Sequence, residues 1–174
     1  AALTIEMEKQ NMPKVDSYEI RAFTTKVNRL DIPGIVAYIP PDCLGGSRGR
    51  EISENMSTIA FSRLAKMCVE LAQESGLPII LGGDFNINLS HLDHSDASKL
   101  ATDRPGPETY AHEGRLQAWT KVFSETLRPD GPDSTPRYRL EFISDNSIPT
   151  YTGRGALRDT FNSRCLDGIL LFSK

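Results

Sequence analysis

Two polar side chains follow an apolar run in the stretch LPIILGGDFNIN, residues 77–88. Asp84 and Asn86 lie two residues apart, directly after a pair of glycines. An extended chain would point both side chains to the same side, and the glycines would let a ligand approach the backbone. A carboxylate can hold a hard cation or take a proton from water, and an amide can hydrogen-bond a phosphate oxygen. This pairing suits phosphoester hydrolysis.

The same residues also allow a plain structural interpretation. Gly-Gly-Asp is typical of a turn, and Asn86 could cap the segment that follows it. These four residues alone do not decide between a turn and a catalytic site, so the elements that would position Asp84 matter.

Strands and helices are predicted to alternate along the chain. Apolar alternation and continuous apolar runs predict strands at residues 2–7, 18–24, 34–39, 79–83, 140–143 and 166–172. The first two could form a sheet edge, and the third should be central. Apolar positions from Ile52 to Leu71 follow a helical period that ends at Gly76, and a second helix is predicted over about residues 114–127.

This succession of strand, helix and strand predicts an α/β fold with at least one parallel strand pair. In such sheets, ligands bind beyond the carboxyl ends of the strands, where loops carry polar groups without disturbing the core. Asp84 and Asn86 lie at such an end. The order of elements therefore favours a ligand site over a simple turn.

Composition sets wider bounds on the fold and its partners. With 174 residues, 39% of them hydrophobic, the chain has the size of one domain with its own core. A net charge of −3 excludes a strongly basic nucleic-acid coat, although a local basic groove remains compatible with it. No run approaches the roughly 18 apolar residues of a membrane helix, and no signal-peptide pattern begins the chain, so we expect no membrane association.

The cysteines indicate a reducing compartment. Cys43, Cys68 and Cys165 are an odd number at wide spacings, which fits neither a disulfide scaffold nor a compact zinc site. We interpret them as reduced thiols of an intracellular protein, and we expect Cys68 and Cys165 to be buried.

Several other polar or aromatic residues have competing interpretations. The loop HLDHSD, residues 91–96, has metal-ligand residue types, but ligands so closely packed rarely share tetrahedral geometry, so a variable polar loop is favoured. The arginines near the C-terminus could contact phosphates, but nearby acidic residues favour a mixed surface. Arg48 and Arg50 could hold an anion at a helix N-terminus or lie in a flexible loop. Trp119 is expected in the core rather than as a base-stacking platform.

Three motifs in order resemble the endonuclease/exonuclease/phosphatase superfamily, which includes DNase I and exonuclease III-like enzymes. The first is IVAYIPPD at residues 35–42, the second is ILGGDFN at 80–86, and the third is IPTYTGRGALRDTFNSRCLDGILLFS at 148–173. The double proline and the form GGDFNIN are most similar to the endonuclease domains of non-LTR retrotransposons. The resemblance extends from about residue 17 to 173 and implies a partial DNase I-like α/β sandwich, with a mixed sheet and two main helices.

The resemblance also implies roles for individual residues in magnesium-assisted hydrolysis of a phosphate ester. Asp84 would orient or deprotonate the attacking water, or protonate the leaving group, and is the one residue here that would contact Mg²⁺. Asn86 would position the phosphate and the water, and Tyr38 would hydrogen-bond a phosphate oxygen. Asp167 would normally support a catalytic histidine.

A nucleic-acid surface is implied beside these residues. Thr150 and Tyr151 match the family's threonine-aromatic loop, which leans into a groove of the nucleic acid, and Arg154 follows them. Nothing in the sequence selects nucleic acid over a lipid phosphate, because phosphoinositide phosphatases and sphingomyelinases use the same core.

Two family features have no match in this sequence. The metal-binding glutamate normally lies far upstream of the Tyr-x-Pro motif, so Glu6 and Glu8 are poor substitutes for it. The family's Ser-Asp-His motif follows the Asp167 equivalent, and none of His91, His94 or His112 lies there. We therefore expect residues 1–174 to be a single, incomplete domain with no or feeble activity on its own, since each missing group should remove several kcal/mol of transition-state stabilisation.

An incomplete sandwich would leave the inner face of its sheet exposed. Apolar surface in water is unfavourable by about 25 cal/mol per Å², so we expect a protein partner or self-association to cover that face. Two functions follow as alternatives. One is a metal-dependent endonuclease acting on nucleic acid, and the other is a catalytically degenerate domain that serves as a structural or binding component of a larger assembly.

Overall fold

A mixed sheet and two long helices make up most of the chain in the computed structural model, which describes residues 5–8, 18–27, 29–39, 47–103, 110–147, 151–154, 161–164 and 167–174. The elements are, in order, β1 (Ile5–Glu8), β2 (Glu19–Val27), β3 (Leu30–Tyr38), α1 (Ser47–Ser75), β4 (Ile79–Asp84), a short 3-10 helix (Leu89–His91), α2 (Tyr110–Leu127), β5 (Arg139–Phe142), β6 (Tyr151–Arg154), β7 (Phe161–Arg164) and β8 (Asp167–Ser173).

Six of these strands form one sheet in the order β1-β2-β3-β4-β8-β5. Strands β3 and β4 pair in parallel, and the other pairs of this sheet are antiparallel. The predicted α/β fold with a mixed sheet and two main helices is confirmed, as are the edge position of the first strand and the interior position of the third. The long helix α1 connects the parallel pair.

The core lies on one face of this sheet, because alternate residues of the strands pack against both helices. From the three central strands it receives Ile35 and Ala37, Ile79 and Leu81, and Leu170 and Phe172. Helix α1 contributes Phe61, Leu64 and Cys68, and α2 contributes Leu116, Trp119 and Phe123. One continuous core therefore joins both helices to the sheet.

Trp119 organises the centre of this core. Its ring is fully buried and meets Phe61 and Phe85 edge-on, with centroids 5.1 Å apart in both pairs. The indole Nε1–H donates to the carbonyl of Ala97 at 2.8 Å, so burial leaves this donor satisfied. The prediction that Trp119 is a core residue is confirmed.

The C-terminal end of α1 matches the sequence prediction, whereas the N-terminal end of α2 differs from it. Helix α1 ends at Ser75, and the next residue, Gly76, has a φ of +66° and donates its N–H to the carbonyl of Ala72 at 3.1 Å, a common helix termination. Helix α2 begins at Tyr110, four residues before the predicted start at residue 114.

The opposite face of the sheet carries the other alternate residues and is partly exposed. Val36, Tyr38 and Ile169 are 40%, 44% and 48% exposed, and Asp84 and Asp167 belong to the same face. We call these five residues the open face. The expected exposed apolar surface is therefore present in the described part of the sheet.

Other expectations meet the structure only in part. Cys68 is buried, as predicted, and burial raises the pKa of its thiol to about 12, whereas Cys43 and Cys165 lie outside the described residues. Residues 151–154 and 161–164 form a separate two-stranded antiparallel sheet rather than the loop that the sequence indicated. Among the described residues, neither long helix is apolar enough to cross a membrane.

Candidate active site

Three of the predicted site residues are direct neighbours across three strands. Tyr38 at the end of β3 pairs with Asp84 at the end of β4, and Asp84 pairs with Asp167 at the start of β8. Directly opposed residues have their Cβ atoms about 5 Å apart and on the same side of the sheet. The phenol and the two carboxylates thus form a row at one end of the open face.

Gly83 allows the strands to come together at this point. It has a φ of +146°, and a Cβ atom there would overlap the carbonyl of Ala37 on the neighbouring strand. At Gly82 a Cβ atom would make only ordinary contact, 3.7 Å from the carbonyl of Gly168. The glycine at position 83 therefore serves the approach of β3 to β4, and the approach of a ligand to these glycines stays a prediction.

Asn86 holds the loop that follows Asp84. Its φ of +49° lies in the left-handed region, which asparagine tolerates better than most residues. Its side-chain Nδ2 donates to the carbonyl of Ile39 at 2.8 Å, and its backbone N–H donates to Asp84 Oδ1 at 3.0 Å. The chain is thus not extended beyond Asp84, yet Asn86 remains bonded to the Asp84 carboxylate.

The capping interpretation of Asn86 is wrong. The next helical segment, Leu89–His91, has Asn88 at its N-cap position. Asn86 bonds instead to the end of β3, so its role is to join two strand ends.

The pKa of Asp84 lies above its ordinary range. Burial is the main cause, and the negative charge of Asp167 raises the pKa further. The hydrogen bonds from Asn86 and the positive charge of Arg115 act in the opposite direction but do not outweigh burial. Two carboxylates that repel each other at one end of a sheet would gain from a bound cation.

Arg115 on α2 contacts the backbone directly after Tyr38 and directly after Asp84, and none of the sequence motifs identified it. Its side chain is buried in α2 and its Nη2 donates to the carbonyls of Phe85 and Ile39 at 3.2 and 3.4 Å. A signal was available, because Arg115 lies four residues before Trp119 and therefore on the core face of the helix. A cation among apolar core positions of a helix indicates a buried charge with specific hydrogen-bond partners.

The nucleic-acid contacts implied by the sequence are only partly placed. Tyr151 and Arg154 lie in β6, which pairs with β7, but their side chains are outside the described part of the structure. Thr150 lies outside the described residues altogether. The row of Tyr38, Asp84 and Asp167 is therefore the part of the predicted site that the structure assembles.

The loop HLDHSD uses its carboxylates for its own folding. Asp93 Oδ1 accepts hydrogen bonds from Ser95 and from the backbone of Asp96. Asp96 in turn accepts hydrogen bonds from Ser98 and Arg128 and pairs with Lys99. Within the described residues, no group of three metal-binding side chains occurs in this loop or elsewhere.

Asp84 and Asp167 nevertheless fit a hard divalent cation. Mg²⁺ is commonly held by one or two carboxylates and keeps several of its waters, so three protein ligands are not required. Glu6 and Glu8 lie on β1, three strands away from β4 in the sheet, at roughly 14 Å given the spacing of strands. That Glu6 and Glu8 are poor substitutes for the family's upstream glutamate stays a prediction.

No family model and no curated protein sequence matches the chain. Among solved structures, the chain is similar to the endonuclease domain of TRAS1, a telomere-specific non-LTR retrotransposon, at 12% identity and a TM-score of 0.46, covering 97% of this chain and 55% of that one. It is also similar to the human Nocturnin catalytic domain with bound sulfate, at 14% identity and a TM-score of 0.47, covering 99% and 48%.

A third similar structure is an endonuclease/exonuclease/phosphatase family protein from Bacteroides thetaiotaomicron, at 12% identity and a TM-score of 0.37, covering 99% of this chain and 63% of that one. The chain spans about half the length of the TRAS1 and Nocturnin domains.

Proposed function

We propose that Asp84 and Asp167 form a divalent-cation site for the hydrolysis of phosphodiester bonds in nucleic acid, with Tyr38 beside them. The observation that carries this proposal is the register of three adjacent strands, which aligns these residues at one end of the open face. A turn with only a structural role would not require these three side chains to be aligned.

The chemistry follows from the side chains themselves. A bound Mg²⁺ would polarise a phosphoryl oxygen and make its bound water more acidic. Asp84, between Tyr38 and Asp167, would orient the attacking water or accept its proton. Tyr38 is half-exposed and would donate its hydroxyl hydrogen to a non-bridging phosphate oxygen.

Nucleic acid is the substrate class that we favour. Tyr151 and Arg154 lie on β6, and an aromatic and a cationic residue are types that would contact bases and backbone phosphates. A lipid phosphate offers the same phosphoryl group, so a lipid substrate would be an outcome of the same experiment.

The direct test uses Mg²⁺ with supercoiled plasmid, a duplex that contains an abasic site, and a short-chain phosphoinositide. Because two groups of the family site have no match in this sequence, we expect weak cleavage of a nucleic acid, which EDTA abolishes and which Asp84→Asn lowers by about 100-fold or more. The matched control is Asp133→Asn, which removes an exposed carboxylate elsewhere. Equal cleavage by the wild type and Asp84→Asn would contradict the proposal.

A second candidate function is favoured by the exposed side chains of Val36 and Ile169. Val36 on β3 and Ile169 on β8 lie on either side of Gly82 of β4, and exposed apolar residues on one face of a sheet are typical of a binding surface. In this case the chain is a structural or binding component that joins a partner or a second copy through the open face. Absence of cleavage together with concentration-dependent association would favour it.

A further inference from the structure

Arg115 is unusual among the charged residues of the protein. Among the residues whose side chains the structure describes, it is the only Asp, Glu, Lys or Arg that is buried, at 2% exposed. Burial of a guanidinium is unfavourable unless hydrogen bonds compensate for the lost water. The contacts of Arg115 therefore indicate why it is present.

Those contacts are made to the ends of the two parallel strands. Its Nη2 donates to the carbonyl of Ile39, which directly follows Tyr38, and to the carbonyl of Phe85, which directly follows Asp84. The N–H of Ile39 still donates to the carbonyl of Asp84 at 2.9 Å, the last backbone bond between these strand ends that the structure describes. Arg115 thus joins β3 and β4 beyond the last backbone hydrogen bond that the structure describes between them.

The carbonyl of Ile39 is the point where several parts of the site meet. It accepts a hydrogen bond from Asn86 Nδ2 at 2.8 Å as well as the one from Arg115. A carbonyl oxygen has two lone pairs, so these two donors fill its capacity. One backbone atom therefore joins the end of β3, the loop after β4, and helix α2.

We propose that Arg115 is a positioning residue that fixes the separation of Tyr38 and Asp84 by holding the backbone directly after each of them. A guanidinium suits this role because the two N–H groups of Nη2 lie in one rigid plane, whereas the three N–H donors of an ammonium rotate at the end of a flexible stem. The effect on cation binding rests on the proposed function, but the effect on strand-end geometry does not.

A methionine at position 115 would make neither of these two hydrogen bonds. A neutral side chain of similar length would fill the space and avoid the desolvation of a charge. We therefore expect Arg115→Met to fold but to lose the alignment of the strand ends.

The experiment compares Arg115→Met, Arg115→Lys and the wild type. The matched control is Lys121→Met, which removes an exposed cation from the same helix. Thermal unfolding first establishes that each variant is folded. The metal-free proteins are then compared by NMR, using the side-chain amide of Asn86 and the backbone amides of Ile39 and Asp84, and Mg²⁺ affinity is measured by calorimetry.

We expect Arg115→Met to move these three amide signals and to weaken Mg²⁺ binding about 10- to 100-fold, the usual effect of removing a residue that orients a metal ligand. Arg115→Lys should move these signals less and weaken Mg²⁺ binding less than Arg115→Met does. Lys121→Met should change neither the amide signals nor the Mg²⁺ affinity. Should Arg115→Met not fold, Arg115→Lys decides alone. Folded Arg115 variants with unchanged amide signals would overturn the inference. Moved amide signals in a protein that does not bind Mg²⁺ would support the inference and contradict the proposed function instead.

Discussion

Asp84 and Asp167 are directly opposed residues in the antiparallel pair of β4 and β8. Like charges at opposed positions destabilise a sheet, and burial of Asp84 adds to the unfavourable energy. The fold holds this arrangement at the end of three adjacent strands, beside Tyr38. Repulsion of this kind is typical of a site whose ligand is positively charged.

The first prediction concerns Asp84→Asn. Because the folded-state pKa of Asp84 is raised above its ordinary value of 3.8, this group's contribution to stability falls as the pH rises from 3.8 through the folded pKa. Asparagine does not ionise and keeps an acceptor for the N–H of Asn86. We therefore expect Asp84→Asn to have a higher Tm than the wild type at neutral pH and no advantage at low pH. Thermal unfolding in metal-free buffer, from below pH 3.8 to neutral pH, checks this prediction. A difference in Tm between the two proteins that does not change with pH would refute it.

The second prediction separates the two glycines before Asp84. Gly83→Ala should lower the free energy of unfolding by more than about 2 kcal/mol, because its φ is positive and its new methyl group would overlap the carbonyl of Ala37. Gly82→Ala should change it by less than about 1 kcal/mol, since the methyl group has space. Urea denaturation of both variants gives the comparison. Similar losses from both would contradict the assigned role of Gly83.

The third prediction concerns Asp96, which anchors the loop after β4. Burial raises the pKa of Asp96, but hydrogen bonds from Ser98, Lys99 and Arg128 outweigh burial and hold the pKa at about 2. The contribution to stability is therefore present above pH 3.8 and is lost as the pH falls towards 2. Asp96→Asn should lower the free energy of unfolding at neutral pH by roughly 2 kcal/mol.

Denaturant unfolding at several pH values checks the Asp96 prediction. The difference between the wild type and Asp96→Asn should shrink on acidification, while the exposed control Asp133→Asn should match the wild type throughout. A constant difference down to pH 2 would mean that the ion pairs do not cause the effect.

The fourth prediction concerns association through the open face. We expect Val36→Thr combined with Ile169→Thr to reduce self-association in sedimentation velocity, because both side chains are half-exposed apolar groups on the same face. The control is Ile59→Thr, which changes an equally exposed isoleucine on α1. A wild type that stays monomeric at all concentrations, or an equal effect of Ile59→Thr, would exclude this surface as the contact between copies.

The apolar pattern of the sequence was sufficient to predict the six strands of the main sheet and the two long helices. Each central strand is a short apolar run, and the period from Ile52 to Leu71 is long enough to identify α1. Strand ends and the β6–β7 hairpin were less well predicted, because pairing between distant segments and not local preference decides them.

The residue types of the site could be predicted from the sequence, but their arrangement in space could not. Tyr38, Asp84 and Asp167 come together through the order and register of β3, β4 and β8, which local sequence does not encode. The roles of Gly83 and Asn86 depend on atoms of β3, more than 40 positions away along the chain. Arg115 belongs to a helix in a third part of the sequence, so its contact with Ile39 was equally hidden.

The most direct test of the central claim is the binding of Mg²⁺ to the wild type and to Asp84→Asn, measured by titration calorimetry at neutral pH. We predict saturable binding by the wild type at millimolar concentrations or below, accompanied by a rise in Tm, and loss of both in Asp84→Asn. Asp133→Asn should bind as the wild type does. A wild type that binds no Mg²⁺, or an Asp84→Asn variant that binds it equally well, would contradict the assignment of a cation site to Asp84 and Asp167.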